Sequence, residues 1–156
     1  MLEARLCQEA SGPHIVRLLG AHEQEHPDRP PVLAYEESDT TVLVFLRRRG
    51  VLSDDVSLLL GRQLVCGGLR LHTLGIVHRD LKPANLLISF EPQAPCLRLL
   101  VADLGSARKL PPLGAEGSAA TSATQGLQHA RFPMTPRQTT EPYAAPEQAG
   151  PAPARS

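Results

Sequence analysis

The sequence predicts an α+β fold, and three observations carry that expectation. A long segment from Val56 to Leu69 repeats apolar residues at mostly helical spacing behind a polar start, Ser53-Asp54-Asp55. Two short apolar runs, Leu86 to Ile88 and Leu97 to Val101, have the length and composition of strands. A further pair of short runs upstream, Ile15 to Ala21 and Val32 to Tyr35, reads the same way.

Taken in order, Met1 to Ala10 reads as the end of a helix, and Ile15 to Ala21 as a strand. His22 to Pro31 is a polar turn containing Pro27 and Pro30, and Val32 to Tyr35 is the next strand. Thr41 to Arg49 reads as a helix. Its basic end, Arg47-Arg48-Arg49, is a solvated terminus before Gly50, a residue suited to helix C-terminal stops. Ser53 is the expected N-cap of the following helix, with Asp54 and Asp55 complementing its dipole. The strands Leu86–Ile88 and Leu97–Val101 are joined by Ser89 to Cys96, a connection longer than the usual hairpin and interrupted by Pro92 and Pro95. From about Pro111 to Thr139 the chain is rich in Gly, Ala, Ser, Thr, Gln and Pro. That composition buries too little apolar area to offset chain entropy, so disorder is expected there, and a loose tail from Ala149 to Ser156.

Composition narrows the function classes. Hydrophobic residues make up 42% of the 156, aromatics only 3% with no Trp, so the core must rest on Leu, Val and Ile. Formal net charge is zero, which gives no electrostatic argument for a nucleic-acid or membrane partner. No apolar run approaches the roughly 20 residues needed to cross a bilayer, and Met1 is not followed by a signal-peptide core. Cys7, Cys66 and Cys96 are isolated and odd in number, so a reducing, intracellular compartment is the default, with the cytoplasm expected. The six His residues show no metal-ligand spacing.

The chemistry lies in His78-Arg79-Asp80-Leu81-Lys82-Pro83-Ala84-Asn85, which places a carboxylate, an ammonium and an amide at fixed offsets in one short loop. Such a set suits phosphoryl transfer. An Asp accepts or orients the proton of an attacking hydroxyl, a Lys neutralises charge on the moving group, and an Asn holds a magnesium ion. The order and spacing resemble the catalytic loop of eukaryotic-type protein kinases, and Lys82 further resembles the serine/threonine branch. Asp103-Leu104-Gly105 resembles the family's metal-binding DFG triplet with Leu for Phe, and Ala145-Pro146-Glu147 resembles the APE end of an activation segment. Pro13-His14-Ile15-Val16-Arg17-Leu18-Leu19-Gly20 resembles the link between helix αC and strand β4 of the small lobe.

The resemblance covers roughly Glu3 to Glu147 and implies a partial protein-kinase-like fold, the end of the small lobe plus the first part of the helical large lobe. Residues 1–150 would form an incomplete kinase domain and 151–156 the loose tail. It implies ATP and Mg2+ as cofactors, with Asp80 and Lys82 catalytic and Asn85 and Asp103 as metal ligands. Glu3 falls at the αC glutamate, with Glu9 as a rival if the register shifts. Ala34 to Glu37 fall at the adenine hinge, with Ala34 and Glu36 as the candidate contacts, and Leu87 falls beneath the adenine. A spine joining the lobes would comprise Cys7, Leu18, His78 and Leu104.

Arg79 would pair with a phosphorylated activation-loop residue, for which Thr135 and Thr139 are the candidates, so an upstream activating kinase is an implied partner. Thr140 matches the threonine that hydrogen-bonds the catalytic Asp and Lys in the serine/threonine branch. Substrates would be protein Ser/Thr hydroxyls. Asp103-Leu104-Gly105-Ser106-Ala107 and Tyr143-Ala144-Ala145-Pro146-Glu147-Gln148 also resemble the thylakoid state-transition kinases, which makes a plastid location the alternative compartment.

Residues 1–156 contain no glycine-rich phosphate loop and no strand lysine to meet Glu3, and stop soon after Glu147. Three readings stay open on the sequence: a working serine/threonine kinase, a pseudokinase or binding module without turnover, and an incomplete product of a longer gene. Turnover by residues 1–156 alone is expected to be near background.

Overall fold

The computed structural model describes residues 2–24, 31–90, 97–110 and Tyr143. Helix α1 (Leu2–Ala10) turns Ala4, Leu6, Cys7 and Ala10 inward, the spacing of one helical face. The chain then reverses, and Ile15 makes a parallel bridge to Val101, while Val16 N donates to Val101 O and Val101 N to His14 O, each at 2.9 Å. Those contacts explain one departure from the sequence reading. Residues 15 and 16 are taken up by a distant strand, so β1 begins only at Leu18 and runs to His22. It pairs antiparallel with β2 (Val32–Tyr35), whose limits match the expectation.

Thr41 is expected inside the next helix, but together with Thr40 it forms β3, and its side chain caps α2 (Val42–Arg49) by accepting the Val44 N–H. Gly50 ends α2 with φ 72°, a conformation that costs a glycine little, and its N–H returns to Leu46 O. Helix α3 (Asp54–Thr73) has Ser53 at its N-cap position. The Ser53 side chain makes no capping bond, so the first turn relies on Asp54 and Asp55. Gly75, at φ 68°, turns the chain into β4 (Ile76–Val77).

Strands β5 (Leu86–Phe90) and β6 (Leu97–Val101) pair antiparallel, with β3 on the outer side of β5. β5 is two residues longer than its apolar run because Phe90 still pairs with Leu97. A short strand β7 (Arg108–Lys109) pairs with β4. Residues 91–96 of the connection, 111–139 and 149–156 lie outside the described residues.

Helix α3 lies across β6, held by a buried amide rather than by apolar contact alone. Gln63 Nε2 donates to Leu97 O at 2.8 Å, and Gln63 Oε1 accepts from Leu99 N at 2.7 Å. Gly67 permits close approach, since a Cβ there would stand 2.9 Å from His14 O. The core that results is aliphatic, as the composition requires, and includes Leu6, Ile15, Leu71, Ile88, Leu99 and Leu104. Of the four spine residues, Cys7 and Leu104 belong to this cluster, Leu18 packs against it, and His78 is buried.

Candidate active site

The loop after β4 carries the polar groups. His78 is buried with both ring nitrogens occupied: Nε2 bonds Ala102 O at 2.9 Å, and the Asp80 N–H donates to Nδ1 at 3.3 Å. A carbonyl can only accept and an amide only donate, so the ring carries its proton on Nε2. Arg79 follows with φ 67°, a left-handed conformation unusual for a side chain of its size. That reversal sends the chain into the site, and Arg79 Nε donates to Ser106 O at 2.7 Å. Burial first, then the charge of Arg108, hold the Arg79 guanidinium below its ordinary range.

Asp80 is buried, and its Oδ2 accepts from Lys82 Nζ at 2.8 Å and from Asn85 Nδ2 at 3.1 Å. Asn85 Nδ2 also donates to Asp80 O at 3.0 Å. The short 3-10 turn Pro83–Asn85 fixes that offset, because Asn85 N donates to Lys82 O. Asp80, Lys82 and Asn85 are therefore one connected group. With the Asn85 amide nitrogen turned to Asp80, its oxygen is left as the acceptor on the far side of the side chain.

Asp103 is tied to this group through its neighbour. Ala102 N donates to Asn85 O at 2.9 Å, and Ala102 O accepts from His78. Asp103 itself is exposed, adopts φ 62°, and accepts the Gly105 N–H on Oδ1, capping the 3-10 turn Leu104–Ser106. Left-handed non-glycine residues at both Arg79 and Asp103 mark backbone strain concentrated beside one site. Among the described residues no cluster of three His, Cys, Asp or Glu is placed to hold a metal. An amide oxygen and a carboxylate are nevertheless hard oxygen donors of the kind magnesium takes when phosphates complete its shell.

Glu3 does not join the Asp80 group. Its Oε1 accepts from Tyr35 Oη at 2.7 Å, and its other oxygen lies near the 103–105 turn. Glu9 points elsewhere, to an exposed ion pair with Lys109, so the register that selects Glu3 is the one that reaches the turn. Ala34 is exposed in β2 opposite Gly20. The Glu36 carboxylate is bound by Arg98 Nη2 at 2.9 Å and by the Arg17 N–H at 2.8 Å, and the Glu36 N–H is given to Arg17 O. Leu87 is half-buried and packs, with Tyr35, on Val16, Leu100 and Ala102. Thr135, Thr139, Thr140 and Ala145-Pro146-Glu147 lie outside the described residues.

Two participants escape a sequence reading. Tyr35 ends a strand in the pattern and falls within the Ala34–Glu37 segment, but no side-chain role is read for it there. Arg108 carries no motif; its approach to Arg79 follows from the pairing of β7 with β4.

Helix, strand pair and polar loop together make the arrangement of a kinase-type domain. A family model described as protein kinase domain matches residues 1–154. The chain belongs to the protein kinase family. It is similar to mitogen-activated protein kinase kinase kinase 3 of Arabidopsis thaliana, 32% identical over 69% of this chain and 16% of that protein. Serine/threonine-protein kinase CG17528 of Drosophila melanogaster is 32% identical over 67% of this chain and 14% of its own length. The human serine/threonine-protein kinase/endoribonuclease IRE2 is 44% identical over 40% of this chain and 6% of its own length. The chain thus spans a sixth or less of these relatives.

Proposed function

We propose that the group around Asp80 serves ATP-dependent transfer of a phosphoryl group to a serine or threonine hydroxyl of a protein. The observation that carries this reading is the buried Asp80 carboxylate with Lys82 and Asn85 converging on one of its oxygens. Asp80 orients the substrate hydroxyl and accepts its proton. Lys82 sets its ammonium beside that carboxylate, where it neutralises charge developing on the transferred group. Asn85 and Asp103 would hold magnesium through side-chain oxygens. When bound there, magnesium supplies neutralising charge to the phosphate oxygens.

On the adenine side, Leu87 offers an apolar surface. The Glu36 N–H is already committed to Arg17 O, so a contact with adenine through Glu36 would run through its carbonyl. Ala34 is the other candidate contact in this strand. Thr140 would steady Asp80 and Lys82. Arg79, with Arg108 beside it, would receive a phosphate on Thr135 or Thr139 added by an upstream kinase.

One observation favours a second reading, a binding module without turnover. Glu3 is bonded to the Tyr35 phenol, so its carboxylate has a donor within the described residues and does not wait on a lysine. Transfer of label from γ-labelled ATP to a basic protein, compared with Asp80→Asn, separates the two readings. Transfer lost in the variant supports the kinase. Nucleotide binding without transfer in either protein supports the module.

A further inference from the structure

Away from the Asp80 group, a second polar cluster lies between helix α1 and the end of β2. Tyr35 Oη donates to Glu3 Oε1 at 2.7 Å, and Cys7 Sγ lies 3.7 Å from the same hydroxyl. Cys7 is 1% exposed, one turn further along the helix from Glu3. The Tyr35 ring packs against both apolar clusters, so packing alone fixes where the ring sits. Phenylalanine would satisfy that packing. The hydroxyl has a separate role.

Glu3 shows what that role is. A Cβ placed on Gly105 would meet Glu3 Oε2 at 3.4 Å and Asp103 Oδ1 at 3.2 Å. The Glu3 carboxylate therefore spans from the Tyr35 phenol to the turn that presents Asp103. Helix α1 and this turn are neighbours in the fold, and Cys7 and Leu104 share one core cluster beneath them. The turn itself is strained at Asp103 and needs external support to persist. Burial, and after it the bond to Glu3, hold the Tyr35 phenol well above its ordinary range, and burial raises the Cys7 thiol as well. Both groups stay protonated at neutral pH, and the hydroxyl remains a donor.

We propose that Tyr35 is a positioning residue whose hydroxyl pins the Glu3 carboxylate, and with it the first turn of α1, against the Asp103–Gly105 turn. An uncharged donor does here what an ammonium ion would do with added charge. The pin holds whether or not nucleotide is bound. Its consequence for magnesium–nucleotide affinity rests on the function proposed above, because it acts through the orientation of Asp103.

The test uses the full chain and the variants Tyr35→Phe, Glu3→Ala and their combination. Amide hydrogen exchange at residues 104–106 without nucleotide should rise about tenfold in Tyr35→Phe, the scale of one lost charge-assisted bond, and no further in the double variant than in Glu3→Ala. The chain has two tyrosines and no tryptophan, so phenolate absorbance gives a direct readout of the bond. Tyr35 should ionise at lower pH in Glu3→Ala than in the parent. Binding of magnesium–ADP, by calorimetry, should weaken in Tyr35→Phe while the thermal transition stays cooperative. Unchanged exchange in Tyr35→Phe, effects that multiply in the double variant, or identical phenolate titration in Glu3→Ala would each overturn the pin. If the parent binds no nucleotide yet exchange and absorbance respond as stated, the pin stands and the phosphoryl-transfer reading falls.

Discussion

Lys82 Nζ lies 2.8 Å from Asp80 Oδ2, the same oxygen that Asn85 Nδ2 reaches at 3.1 Å. Two donors on one oxygen give Asp80 a fixed orientation, and one of the two brings a full charge. Lys82→Met keeps a stem of similar length and removes the charge. In the proposed reaction its transfer rate should fall by about 10²–10³, the usual cost of one oriented donor in such a site. Initial rates with labelled ATP check this, and a rate within about threefold of the parent would remove Lys82 from the mechanism.

Magnesium should bind feebly by itself, because a two-residue donor set leaves most of the shell to water and phosphates. Calorimetry should show magnesium binding strengthened by nucleotide, with the nucleotide-dependent part lost in Asp103→Ala. Tight binding of magnesium without nucleotide, unaffected by Asp103→Ala, would count against Asp103 as a ligand.

Gln63 bridges Leu97 O and Leu99 N, so it joins α3 to β6 through both ends of one amide. Gln63→Leu fills similar space and takes this partner from the Leu99 N–H, whose bond is buried, and from Leu97 O, whose bond is part-buried. A buried group left without a partner costs about 1–3 kcal/mol, so urea unfolding should shift to a clearly lower midpoint with an unchanged slope. A variant as stable as the parent would show that this amide contributes nothing net.

Alkaline pH should destabilise the fold ahead of any general effect. Burial raises the Cys7 thiol above its ordinary 9.0, and burial with the Glu3 bond raises the Tyr35 phenol above its ordinary 10.0. Both groups hold their protons more tightly when folded. The stability they contribute is fully present below the unfolded values and declines as pH rises past 9.0 and then 10.0. Thermal midpoints should be flat near neutrality and fall above that first value, with a shallower fall in Cys7→Ala combined with Tyr35→Phe. An equal fall in the double variant would assign the loss to other groups.

The chain should self-associate through α3. Leu58, Val65 and Leu69 are 71%, 67% and 61% exposed and lie on one face of α3. Apolar stripes of this kind drive contact between copies. Sedimentation should show oligomers that dissociate in Leu58→Lys combined with Val65→Lys. A clean monomer at the same concentration would refute the expectation.

The helices and β2 were legible because their apolar spacing is local, and the Asp80 loop because its residues lie within one octet. What escaped the sequence was decided at long range. Ile15 and Val16 look like the start of a strand until β6 claims them. Ser53 has the identity of a cap, but its side chain makes no capping bond. Arg79 and Asp103 adopt a backbone conformation that their residue types disfavour, held there by Ser106 O and the Gly105 N–H. The Tyr35–Glu3 bond joins residues 32 apart and depends on how α1 settles on the sheet.

Ala102 carries the smallest side chain of its cluster, yet its N–H is given to Asn85 O and its carbonyl accepts from His78 Nε2. The end of β6 is thereby fastened to both flanks of Asp80. Neither the loop nor the turn can swing outward without breaking bonds shared with the other, so the two move in step, as one lever. Local opening that breaks the Ala102 bonds would therefore release the Asp80 loop and the Asp103 turn together, and the two carboxylates would be displaced as a pair.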